Sequence, residues 1–399
     1  TGVLESVSSA GFFPGVLLTG LVLSLWSGRD RFFERLSVAP ALGLLIWTAP
    51  MLVMAGLSLY RPWQFGLAGW IVTVLLVPTL FTRFRREPIV IDPVWVLVVV
   101  VAAVYGAWSF LYTGETFLGG RDQGAYSNHA LHIARTGSLW IDFPFESFAE
   151  RRYGPMHFLQ NLSNLGFTLE GMQAQFPPAY TIWMAQAVGV FGRVGAIGLN
   201  PVLAALTVPL FFGLARRFLD RPASLVALCV FLLTPTQIWM PRITLSEIAA
   251  QHFVFAALLL ITGGWMDRSV RSVVFGGLLL GGVYWVRIDG LVIAPIMVVA
   301  LAAARSWGAT DEAAGTLSRT MTRRLAWTVF AALGLGSLSH YLTSGLYFES
   351  IGPKLIHIAL LTALLIPVAL LSLNTRVMGC LLYTSPSPRD KGGNLVCRL

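Results

Sequence analysis

The sequence predicts an all-α polytopic membrane protein, a bundle of about eleven transmembrane helices with further helices lying at one membrane face. Three observations point there. Hydrophobic residues make up 56% of the 399 and charged residues only 12%, with a mean hydropathy of +0.71. Apolar runs of about 20 residues, enough to cross a hydrocarbon core about 30 Å thick, recur from one end of the chain to the other. The basic residues are almost all arginines, Lys354 and Lys391 being the only lysines, and they gather in short loops between the apolar runs. A formal charge of +9 arranged in this way reads as membrane orientation and forms no patch for nucleic acid.

The apolar runs lie near 10–27, 38–60, 66–82, 94–112, 198–215, 223–240, 246–265, 272–286, 289–304, 324–345 and 354–373. Those within residues 1–93 form an N-terminal group of three, 94–112 opens the main bundle, and 200–379 holds the rest. The pair around "YWVRIDGLVIAP" is interrupted by Arg287 and Asp289, so each half is short. Arginines cluster in "SGRDRFFERLS", "TRFRREP", "RRFLDRP", "MDRSVRS" and the stretch from Arg305 to Arg324. Alternating spans bring all five clusters to the cytoplasmic side only if the run "FPPAYTIWMAQAVGVFG" (176–192) does not cross. That run is short and opens on Pro177 and Pro178, which suits an interfacial or re-entrant helix. Residues 113–199 then make one large extracytoplasmic loop. On the same side fall "TPTQIWMPRITLSE", the Arg287/Asp289 junction and "FESIGPK", where Lys354 reads as an interfacial anchor.

The two ends of the chain read as artificial. It opens at "TGVLESVSSAGFFPG", without a basic segment ahead of the first apolar run, so no signal peptide is expected. At the other end "CLLYTSPSPRD" and "NLVCRL" resemble translated sequencing adapter, and residues 380–399 are expected to pack on nothing. Outside that tail only Cys229 remains, within an apolar run, which leaves no intramolecular disulfide to form.

The most polar stretch of the outer loop is "GGRDQGAYSNHALHIARTGSL", residues 119–139. From Asp122 onward its spacing is helical: Tyr126, Ala130, Ile133 and Ala134 share one side of a 3.6-residue wheel, with Asn128, His132 and Arg135 opposite. Asp122 stands where an N-cap would, Arg135 falls in the last turn and Gly137 is the stop. Asp122 can therefore be a helix cap, a functional carboxylate at the membrane surface beside Arg121, Gln123, Tyr126 and His129, or both. His129, His132 and His157 invite a zinc reading. The first two are three residues apart with no third ligand nearby, so a divalent metal has no support from spacing and no cofactor is assigned.

The series "GGRDQGAYSNHALHIARTGSLW", "QFPPAYTIWMAQAVGVFG" and "PRITLSEIAAQ" resembles the motif order of bacterial GT-C membrane glycosyltransferases of the protein-mannosyltransferase and lipid A aminoarabinose transferase type. In that family an acidic residue at the start of the first large extracytoplasmic loop precedes an amphipathic juxtamembrane helix; a Pro-Pro juxtamembrane helix and a bundle of spans follow. The resemblance covers roughly residues 94–300 and implies that Asp122 is the catalytic carboxylate. Many relatives have an acidic pair there, whereas this chain has Gln123 in second place, which departs from a two-carboxylate or metal-binding role. Glu247 matches the later Ser-Glu position and is a substrate-binding candidate or a capping acid. The family further implies a multi-pass protein of the bacterial cytoplasmic membrane, a polyprenyl-phosphate sugar as donor, and a lipid, glycan or protein hydroxyl as acceptor.

Such a reaction needs a carboxylate to take the proton of a poorly nucleophilic hydroxyl and fixed cations for the departing phosphate. Arg242 and Arg287 are the candidate cations. Arg287 has an alternative as a structural ion pair with Asp289, and Arg242 as a headgroup contact or snorkelling anchor. Two other functions fit the composition: a transporter or lipid flippase, whose polar residues would lie within spans at mid-membrane, and a non-catalytic assembly protein of the envelope.

Overall fold

The computed structural model describes residues 3–26, 32–84, 92–114, 121–141, 167–168, 171–172, 176–307 and 319–343. Among them the chain is helical apart from one hairpin, β1 (Phe167–Thr168) paired antiparallel with β2 (Gly171–Met172). The helices are α1 (Val3–Ala10), α2 (Phe12–Trp26), α3 (Phe32–Gly56), α4 (Pro62–Phe84), α5 (Pro93–Leu111), α6 (Arg121–Thr136), α7 (Pro178–Phe191) and α8 (Arg193–Ala215). There follow α9 (Arg221–Leu233), α10 (Pro235–Trp239), α11 (Glu247–Met266), α12 (Val270–Val286), α13 (Gly290–Trp307) and α14 (Arg319–Thr343).

Among the described residues, seven segments are long and apolar enough to cross a membrane: Leu4–Leu25, Phe32–Gly56, Pro62–Thr82, Pro93–Leu111, Arg193–Ala215, Glu247–Met266 and Arg319–Thr343. Helix α9 with the Pro235–Arg242 segment makes an eighth if the 62° bend between them is taken as a break within one span. The break has a local cause. Thr234 is extended and Pro235 follows it, so the α9 hydrogen-bond ladder cannot run through. Helices α12 and α13 are shorter apolar helices, separated by the Arg287–Asp289 turn that the sequence had already marked. Ten of the eleven apolar runs thus become helices, seven of them plainly of spanning length; the eleventh, 354–373, lies outside the described residues, as do 380–399. The chain is a polytopic helical membrane protein.

Charges sort to the two ends of the bundle. At one end Arg217 pairs with Glu34 and lies 3.9 Å from Asp267, and Arg221 pairs with Asp92 at 3.1 Å. These contacts join the starts of α3, α5 and α9 to the ends of α8 and α11. At the other end Gly114 N–H donates to Arg242 O, Tyr60 N–H to Gly137 O, Leu139 N–H to Ala55 O, and Glu247 meets Arg287. Helix α7 starts and finishes at this second end. Phe176, just before it, stacks on Tyr126 at 4.8 Å, while near its finish Gln186 donates to Pro62 O and Ser9 O. Its 14 residues span about 21 Å, short of a hydrocarbon core.

Helix α7 is buried from Pro178 to Gly189, with Trp183 donating to Thr48 Oγ1 and Tyr60 to Gln186 Oε1. On every side α7 thus packs against the rest of the protein over these residues. The N-terminal helices share the core of the main bundle. Phe12, Val38 and Trp47 belong to the same hydrophobic core as Tyr126, Trp183 and Phe253.

Candidate functional site

Helix α6 obeys the wheel read from the sequence. Tyr126, Ala130 and Ile133 are buried against the bundle, while Asn128 and Arg135 are exposed. The helix starts two residues earlier than an N-cap at Asp122 implies, at Arg121, so Asp122 sits in the first turn, where it faces the positive end of the helix dipole and is exposed. Helix α6 stops at Gly137, whose φ of +80° closes the helix with its N–H on Ile133 O at 2.8 Å. A side chain there would collide with Tyr60 O and the Arg61 guanidinium.

Two separated stretches of sequence, 121–127 and 242–247, meet at this end. Tyr126 Oη and Ser246 Oγ are 3.1 Å apart, Ser127 Oγ donates to Thr244 Oγ1 at 3.0 Å, and Thr244 Oγ1 donates to Gln123 O at 3.1 Å. The second stretch is itself clamped by Asn200 of α8, whose Nδ2 donates to Ile243 O at 2.6 Å and Leu245 O at 2.7 Å. Tyr180 of α7 donates to Asn200 Oδ1 at 3.0 Å, so α6, α7, α8 and the 242–247 segment form one hydrogen-bonded unit. The sequence reading missed Asn200. Its only sign was an amide inside the apolar run 198–215, where a buried polar group needs a partner.

Beside this unit lies a charged cluster. Arg287 Nη1 meets Glu247 Oε1 at 2.7 Å, its Nη2 meets Asp289 Oδ2 at 2.8 Å, and its Nε donates to both Asp289 oxygens at 3.0 and 3.1 Å. The Arg287–Asp289 pair expected as an alternative is therefore present, and Glu247 adds a second carboxylate that ties the start of α11 to the end of α12. Glu247 Oε2 is buried with no hydrogen-bond partner among the described residues. Burial pushes the Tyr126 hydroxyl well above the usual tyrosine range; Ser246 and Arg287 pull it back, and Glu247 and Asp122 push it further up. One buried hydroxyl thus feels Asp122, Glu247 and Arg287 at once.

Arg242 is held differently. Its guanidinium lies 3.8 Å from the centre of the Trp108 ring on α5 and 5.4 Å from that of Tyr112, which caps the end of α5. Among the described residues no carboxylate pairs with it and its Nε is buried without a hydrogen-bond partner. His129 is buried and donates through Nε2 to Leu139 O at 3.1 Å; burial lowers its pKa to about 4, which keeps it neutral. That bond engages His129 in holding the 137–140 segment. The side chain of Arg121, and His157, lie outside the described residues. Among the described residues no three of His, Cys, Asp and Glu gather as a metal site. No protein family, curated protein or solved structure matches the chain.

Proposed function

We propose that the chain is a membrane glycosyltransferase of GT-C type, an eleven-span protein of the bacterial cytoplasmic membrane with its active site at the α6 end, on the extracytoplasmic side. The observation that supports it best is the meeting of residues 121–127 with 242–247: it gathers Asp122, Gln123, Tyr126, Arg242, Glu247 and Arg287, which belong to different motifs, at one end of the bundle.

In this reading the donor is a polyprenyl-phosphate sugar and the acceptor a hydroxyl of a lipid, glycan or protein. The acceptor oxygen attacks the anomeric carbon, the bond from that carbon to the phosphate oxygen breaks, and the electron pair leaves with the phosphate. Asp122 takes the hydroxyl proton. Inversion follows from a single displacement. Arg242 suits the leaving phosphate better than Arg287 does, because Arg287 is already compensated by two carboxylates whereas Arg242 rests on aromatic faces with donors to spare. Tyr126, Ser246 and Asn200 hold the two stretches in register, and Glu247 and Asp289 orient Arg287.

The test is Asp122→Asn. The change keeps a short polar side chain in the first turn and removes the proton acceptor. Loss of a helix-dipole contact costs at most about 1 kcal/mol, whereas loss of a general base slows reaction by about 10²- to 10⁴-fold. Purified Asp122→Asn protein should remain folded and bind lipid-linked donor, with turnover at least about a hundredfold lower. Turnover near that of the unaltered protein, with both substrates saturating, would remove Asp122 from the mechanism and leave Glu247 as the remaining candidate carboxylate.

A further inference from the structure

At the end opposite α6 there is a cavity of about 220 Å³ lined by Glu34, Asp92, Trp95, Phe212, Arg216 and Arg221. At about 30 Å³ per water it has room for roughly seven waters, and so for a ligand group of comparable size. What such a group meets depends on which of the lining charges are already answered within the protein. Both carboxylates are. Glu34 is bound by Arg217, and Asp92 accepts from Val94 N–H at the start of α5 and from Arg221 Nη2 at 3.1 Å.

Arg216 is answered by no carboxylate. Among the described residues it forms no ion pair, and its hydrogen bond runs from Nη1 to the neutral Leu219 O at 2.8 Å. An arginine has five N–H donors, so most of those on Arg216 are unfilled, and Arg221, with one on Asp92, keeps others. One guanidinium comes from the end of α8 and the other from the start of α9, and both line the same cavity. The lining therefore offers hydrogen-bond donors and the cation of Arg216, and no free carboxylate.

We propose that this cavity binds a phosphate group, held between Arg216 and Arg221. A guanidinium presents its N–H groups as a planar fork that matches two oxygens of one phosphate. A tetrahedral phosphate has oxygens for two such forks at once, whereas a carboxylate has a single planar edge to share. An ammonium group finds no unanswered carboxylate here. The aromatic wall adds no site for a nucleobase, because Phe33 stacks on Trp95 at 5.6 Å and Phe212 meets it edge-on at 5.1 Å. Recognition thus rests on the phosphate itself, which presents the same oxygens to the arginines whether it is free or borne by a lipid. The proposal does not depend on the chemistry at the α6 end.

The experiment titrates detergent-purified protein with inorganic phosphate, glycerol phosphate, acetate, short-chain phosphatidic acid and the diacylglycerol of the same chains, reading the shift in Tm against concentration. Ionic strength is held constant, so that screening of surface charge does not change. The three probes that carry phosphate should raise Tm saturably, at concentrations at least about tenfold below any effect of acetate. Arg216→Gln should abolish that rise, and Arg271→Gln, an exposed arginine at the start of α12, should keep it. Arg216→Lys, which retains the charge without the fork, should weaken phosphate binding and leave acetate unchanged. Phosphatidic acid binding at least about tenfold more tightly than glycerol phosphate supports the proposal with a lipid as the source, and equal binding of the two supports it with a free phosphate. Acetate acting as strongly as phosphate, diacylglycerol binding as tightly as phosphatidic acid, or an undiminished rise in Arg216→Gln would each overturn it. The ranking of phosphate over acetate in the unaltered protein decides the matter even if the variants do not fold.

Discussion

Arg217 at one end of the bundle and Arg242 at the other are held in opposite ways. Arg217 is 6% exposed and faces a Glu34 carboxylate that is 12% exposed, with Asp267 close behind. That is a sealed pair tying α3 to the end of α8. At the α6 end Arg287 is 28% exposed and Glu247 36%, and Arg242 lies on aromatic rings with no carboxylate paired to it among the described residues. Charges that are sealed and paired hold helices together, because losing one partner strands the other in a medium of low dielectric. Charges that are half open, or lean on ring faces, keep capacity for a further group. The same residue type is structural at Arg217 and available at Arg242, and the neighbours decide which.

The sharpest way to break this comparison is to remove one partner of an ion pair at each end. Glu34→Gln should destabilise the fold by about 3–5 kcal/mol, since it leaves Arg217 buried and under-compensated, with little change in the turnover of molecules that remain folded. Arg287→Gln should cost no more than about 1 kcal/mol of stability, as expected for a partly solvated pair, while turnover falls because Glu247 loses its orienting partner. Unfolding titrations and turnover measured on the same preparations check both. Equal destabilisation by the two variants would erase the distinction.

A second prediction concerns pH at the α6 end. Unfolded His129 takes up a proton below about 6.5, whereas the folded residue resists until about 4 because of burial. The fold therefore keeps the His129 contribution above pH 6.5 and loses it as pH falls towards 4, by up to about 3 kcal/mol. His129→Gln, which retains a donor for Leu139 O, should flatten this part of the stability profile. An unchanged acid slope between pH 6.5 and 4 would show that the imidazole is not sealed. The smallest effect expected is that of Trp108→Leu, which removes the ring beneath Arg242 and should cost about 1 kcal/mol; it should also weaken the binding of lipid-linked donor if Arg242 meets the phosphate. Thermal melts and donor titration on that variant measure the two parts separately.

Much of this was legible without coordinates. The apolar runs at 38–60, 66–82, 94–112 and 198–215 became α3, α4, α5 and α8 because burying twenty apolar residues in lipid outweighs local detail. Helix α6 was readable from its 3.6-residue pattern and Gly137 from its place after the last turn, both being local consequences of backbone geometry. The shortness of α7 against a membrane was readable from the length of its apolar run. What could not be read was the pairing of residues far apart in the chain. Nothing in the "RITLSE" segment announces that Asn200 will take its carbonyls, nor in the α5 sequence that Trp108 will lie under Arg242.

The sequence by itself thus determined which segments are helical and their apolar character, since periodicity and run length act over one or two turns or one span. The tertiary structure alone decided that Glu247 joins Arg287 beside Asp289, that Arg242 rests on Trp108, that α7 is buried on all sides, and that a cavity opens between Arg216 and Asp92. Those outcomes depend on which helices neighbour one another, and in lipid that choice rests on side-chain packing and interhelical hydrogen bonds spread over hundreds of residues.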